Sequence, residues 1–101
     1  MKIIWSNHSS RVLINIYRYY RDTASLKVAM KIKNDIFKST MQLVEFPKSG
    51  QIETNLVNMN MEHRYIVSGN YKIIYREVNE GILITDIFDS RQDPLKLKKK
   101  K

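Results

Sequence analysis

The sequence contains no cysteine. Disulfides and thiolate metal sites are therefore excluded, and the composition fits a reducing cytoplasm. Long apolar runs are also missing. The N-terminal stretch MKIIWSNHSSR loses its apolar character after Trp5, too early for a signal-peptide core or a membrane span. No Ser/His/Asp constellation, glycine-rich phosphate loop or metal-ligand spacing occurs, and nothing in the sequence calls for a cofactor or a metal. A hydrophobic content of 43% with 10% aromatics over 101 residues instead describes one packed, soluble, intracellular domain.

Acidic residues are few, 10 against 18 lysines and arginines, for a formal charge of +8. Five of the lysines fall in the last six residues, KLKKKK. Without them the basic count drops to 13 and the net charge to +3. The division is thus a single domain over 1–95 and a lysine tail over 96–101, expected to be frayed and disordered. Such a tail attracts nucleic acid through counterion release but reads no sequence.

Lys2-Ile3-Ile4-Trp5 reads as a short strand, and Ser6, Asn7, Ser9 and Ser10 can cap a following helix. From Arg11 to Arg21, Val12, Ile16, Tyr19 and Tyr20 recur at helical intervals, with Leu13, Ile14 and Tyr17 widening the face, so this helix should be largely covered. Asp22-Thr23 and Ser25 mark a break and a new cap. A long amphipathic helix follows, its apolar side formed by Leu26, Ala29, Met30, Ile32, Ile36, Phe37, Met41 and Val44. Phe46-Pro47 ends it. Residues 47–58 read as a loop. Three strands are expected at about 61–68, 70–78 and 82–89, joined by Ser68-Gly69-Asn70 and Val78-Asn79-Glu80-Gly81. Alternation places Tyr71, Ile73 and Tyr75 on one face and Lys72, Ile74 and Arg76 on the other. The order β-α-α-β-β-β predicts an α+β domain, with a helical hairpin on one face of a small, mainly antiparallel sheet and the other face open for binding.

These residues carry a family resemblance. Glu45-Phe46-Pro47 closing the second helix, His63-Arg64-Tyr65-Ile66-Val67, the strand Gly69-Asn70-Tyr71-Lys72-Ile73-Ile74-Tyr75-Arg76 and the terminal Asp86-Ile87-Phe88-Asp89-Ser90-Arg91-Gln92-Asp93-Pro94 resemble the RelE/ParE superfamily of toxins from type II toxin–antitoxin systems. The likeness spans nearly the whole chain except the lysine tail. It implies a cytoplasmic toxin held inactive in a hetero-oligomer with a cognate antitoxin protein, and no membrane partner. Its target would be DNA gyrase in the ParE branch, or the ribosome with its mRNA in the RNA-cleaving RelE branch.

Metal-free RNA cleavage needs a base for the 2′-hydroxyl, cations for the phosphorane and an acid for the leaving oxygen. The resemblance places Arg64, Lys72 and Arg91 where cations stand in RNA-cleaving members, with His63, or Glu62 beside it, as candidate base. Ser90-Arg91 stands where some nucleases carry a His-Tyr pair, and no tyrosine follows Tyr75. That absence favours the gyrase-inhibiting branch, with Arg64, Lys72, Arg76 and Arg91 as target-binding residues. Two readings stay beside it: the endoribonuclease, and a non-toxic basic binding module. Each basic residue also has a plain reading. Alternation alone explains Lys72, solvated strand ends explain Arg64 and Arg76, and Arg91 has Asp89 and Asp93 as ready partners. His63 reads as a surface histidine and His8 as a helix-start residue. Convergence of Arg64, Lys72 and Arg91 on one surface is what would make them a site.

Overall fold

A computed structural model describes residues 1–54 and 62–91. The lysine tail and the start of the first predicted hairpin strand lie outside the described residues. Strand β1 (Lys2–Trp5) leads through Ser6 into helix α1 (Asn7–Thr23). The Ser6 hydroxyl accepts the Ser9 N–H at 3.0 Å, and the Ser9 hydroxyl donates to the Ile84 carbonyl at 2.8 Å, so the cap also moors the helix to the sheet. Ser25 caps helix α2 (Leu26–Glu45) in the same way, accepting the Val28 N–H at 3.1 Å. Strands β2 (Gln51–Ile52), β3 (Arg64–Ser68), β4 (Tyr71–Val78) and β5 (Gly81–Asp89) complete the chain.

The five strands form one sheet in the order β1-β5-β4-β3-β2, with β1 parallel to β5 and the other neighbours antiparallel. The short β2 falls within the segment read as a loop; two residues are too few to leave a periodic signal. Ile74 pairs with Asp86 and Tyr75 with Ile84, so Thr85 is an extra residue in β5. This bulge keeps Ile82, Ile84 and Ile87 together against the helices, beside Ile66, Ile73 and Tyr75.

Three expectations are corrected here. Helix α1 is not largely covered: of its residues only Ser9 and Leu13 are buried, and Ile14 and Tyr19 are exposed. Helix α2 turns Ala29, Ile36, Thr40 and Leu43 to the core, leaving Leu26, Met30, Phe37 and Met41 in solvent. Its apolar residues form two stripes a quarter-turn apart, and only one of them meets the core. The far face of the sheet is also not open at its centre, because Ile74 and Phe88 are buried there and Tyr65 packs against them.

Candidate functional site

Arg64 lies opposite Tyr75 on the helix-facing side of the sheet. Its guanidinium donates to the Gly50 carbonyl at 2.8 Å and to the Glu62 carboxylate at 2.9 Å. The fully buried Tyr75 hydroxyl holds the same turn, donating to the Pro47 carbonyl at 2.8 Å and accepting the Gly50 N–H at 3.0 Å. A Cβ on Gly50 would stand 2.6 Å from both the Tyr75 hydroxyl and the Tyr65 carbonyl, so only glycine fits there. Burial pushes the Tyr75 phenol up, keeping it protonated as a donor. Arg64 and Tyr75 thus fix the exit of α2 onto the sheet.

Lys72 lies on the opposite face. Its ammonium group is 2.8 Å from the Glu53 carboxylate and 4.1 Å from the centre of the Tyr65 ring. Glu53 is itself buried, and its backbone N–H donates to the His63 carbonyl at 2.8 Å. His63 is buried too, contrary to the surface position its polar neighbours imply.

Arg91 follows the end of β5. Two of its side-chain nitrogens grip the Asp89 carboxylate at 3.0 and 2.7 Å, and its backbone N–H adds a third bond at 2.9 Å. The Arg91 hydrogen bonds hold the Asp89 carboxyl below the usual carboxylate range, and Asp89 raises the guanidinium further above its already high value. Beside this pair Tyr71 donates to the Tyr20 hydroxyl at 3.2 Å, and burial foremost pushes the Tyr71 phenol up. Tyr20, Tyr71, Asp89 and Arg91, with Val12, Asn15 and Ile16 of α1, line a cavity of about 430 Å³.

The three cations of the nuclease reading are not brought together. Arg91 sits by Tyr71 at the start of β4 and Arg64 by Tyr75 midway along it, four residues apart or about 13 Å of strand rise. Lys72 is on the other face, and each of the three is already paired with a carboxylate. Arg64 does share a cavity of about 340 Å³ with Arg76, where β4 runs past the start of β3; Lys48, Glu62, Tyr75 and Glu77 complete its lining. Among the described residues Arg76 makes no ion pair. This makes it the most available of the four predicted target-binding cations.

Sequence reasoning missed Tyr20, Tyr71 and Glu53 as partners of the basic residues. The tyrosines carried only an apolar-face signal. Glu53 sat in a segment without periodicity, and its pairing with Lys72 spans 19 positions. His8, read as a helix-start residue, does open α1, and its Nε2 lies 3.1 Å from the Asp86 carboxylate. Among the described residues no cluster of His, Cys, Asp or Glu could hold a metal ion, and no helix is long and apolar enough to cross a membrane.

The model of one protein family, described as the ParE toxin of type II toxin–antitoxin system, parDE, matches residues 3–94. No curated protein matches the sequence. Among solved structures, the chromosomal ParDE toxin–antitoxin system from P. aeruginosa contains a similar chain, with a TM-score of 0.71 at 18% identity. The match covers 88% of this chain and 95% of that one, and at this identity it speaks for the fold.

Proposed function

The chain belongs to the family of ParE toxins of type II toxin–antitoxin systems, and on that premise we propose that it arrests growth by binding its target rather than by cleaving RNA. DNA gyrase in the cytoplasm is the target of this reading, and a cognate antitoxin its inhibitor. The separation of Arg64, Lys72 and Arg91 carries the argument. A phosphorane needs several cations on one phosphate, whereas these three stand apart, each held by its own carboxylate.

Arg64 and Lys72 then serve the fold, while Arg76, which makes no ion pair among the described residues, and Arg91, exposed although paired with Asp89, remain to meet a target. The antitoxin has a surface to cover in the exposed stripe of α2, where Leu26, Met30, Phe37 and Met41 are 53%, 43%, 41% and 61% exposed. Patches of this kind mark protein interfaces.

The test is induction of the toxin gene alone and together with its antitoxin gene. Arrest relieved by the second gene, with relaxed plasmid DNA and intact transcripts, is the expected result. Arrest accompanied by transcripts cut at codon-positioned ends overturns the reading in favour of the nuclease. Normal growth under induction would leave a non-toxic binding module.

A further inference from the structure

Strand β1 pairs with β5 only from Gly81 to Ile84. Beyond Ile84, helix α1 runs beside β5 instead, and the cavity of about 430 Å³ opens between them. Its inner wall is apolar, formed by Val12, Ile16 and Ile87. Its rim is polar and rich in hydrogen-bond donors. The Tyr20 hydroxyl lies 3.2 Å from the Tyr71 hydroxyl and interacts with Arg91. Asn15, exposed on the lip, likewise makes no side-chain hydrogen bond among the described residues.

The helix flank beyond the lip is cationic. Arg11, Asn15 and Arg18 recur at four and three residues, which is one stripe of α1. Neither arginine forms an ion pair among the described residues. The only acid in α1, Asp22, is taken by Arg21 at 3.0 Å. Donors and positive charge are thus in surplus around an apolar slot.

We propose that this groove receives an acidic peptide segment of a protein partner, placing a carboxylate on the Tyr20 hydroxyl, a neighbouring carboxylate on Arg11 or Arg18, and an apolar side chain against Val12, Ile16 and Ile87. Naming the antitoxin as the protein that supplies this segment rests on the function proposed above; the groove's preference for carboxylates does not. A nucleic-acid strand is the poorer fit. Asp89 already neutralises Arg91, and the apolar wall rewards an inserted side chain rather than a phosphate. An acidic segment here would also cover Arg91, which gives inhibition a direct route.

The experiment titrates the ¹⁵N-labelled full chain with a synthetic hexapeptide, Asp-Leu-Glu-Phe-Asp-Leu, and with its uncharged twin, Asn-Leu-Gln-Phe-Asn-Leu. The acidic peptide should shift the amides of Asn15, Ile16, Tyr20 and Ile87, and the twin should not. Tyr20→Phe, and separately the exposed double variant Arg11→Gln with Arg18→Gln, should each weaken the acidic peptide about fivefold or more, the scale of one lost charge-assisted hydrogen bond. Three results overturn the groove: equal binding of the twin, shifts confined to the outer stripe of α2, or displacement of the peptide by a single-stranded oligonucleotide of matching charge. Growth arrest by the unmodified toxin reports the toxin reading on its own. If the Tyr20, Arg11 and Arg18 variants lose the peptide yet bind the co-expressed antitoxin with undiminished affinity, the antitoxin is overturned as occupant while the toxin reading stands.

Discussion

Tyr75, Lys72 and Arg91 show how individual side chains on one sheet take different duties. Tyr75 is the hinge-pin of the α2 exit, and removing its oxygen leaves the Gly50 N–H and the Pro47 carbonyl without their partner. Tyr75→Phe should therefore lower unfolding free energy by about 1–3 kcal/mol, measured by urea denaturation. Lys72→Met leaves the buried Glu53 carboxylate without its ammonium. The expected cost is about 3 kcal/mol, and adding Glu53→Gln should recover part of it in a double-mutant cycle. A loss no larger than an exposed pair gives would mean that Lys72 is free for a target.

Arg91→Ala acts at the surface, where pairs are weak. Its pH dependence follows from the depressed Asp89 carboxyl. A folded-state value below the unfolded one, about 3.9, stabilises above that pH and is lost as pH falls through the folded value. The difference in Tm between the native chain and Arg91→Ala should thus be present at neutral pH and close in acid. Legibility at this scale was poor for a plain reason. Adjacent acids such as Glu62 and Asp89 are visible beside Arg64 and Arg91, but the claim of Glu53 on Lys72, 19 positions away, is decided by register.

Strands and helices were more legible than the side chains they carry. Caps, proline and alternation placed both helices and the three long strands, because each signal is local. Three features escaped. The parallel pairing of β1 with β5 joins residues about 80 apart, and the two-residue β2 has no period to read. The second apolar stripe of α2 merged with the first because both lie at helical spacing and only the packed structure separates the buried one from the exposed one. Gly81 is the joint on which β1 depends: its φ is +151°, and a Cβ there would run into the Lys2 backbone carbonyl. Gly81→Ala should break the β1–β5 edge. Amide exchange would then rise across Lys2–Trp5 while the β3–β4 hairpin stays protected. Ser25→Ala, which removes only the cap of α2, should cost about 1 kcal/mol and leave exchange in β1 unchanged.

For the whole molecule, the distribution of charge matters more than its sum. The net +8 says little about where a partner would bind, since five lysines lie in the tail and three of the candidate cations are paired within the fold. The family was legible because its pattern runs along the whole chain, from Glu45-Phe46-Pro47 to the Arg91 region. The mode of action was not, because it depends on whether Arg64, Lys72 and Arg91 meet. They do not, and the account rests on that separation. The most direct test is a supercoiling reaction with purified DNA gyrase and this protein, run beside a translation reaction carrying labelled mRNA. The account predicts blocked supercoiling, relieved by the antitoxin, with the mRNA left whole. Active gyrase beside cleaved mRNA would contradict it.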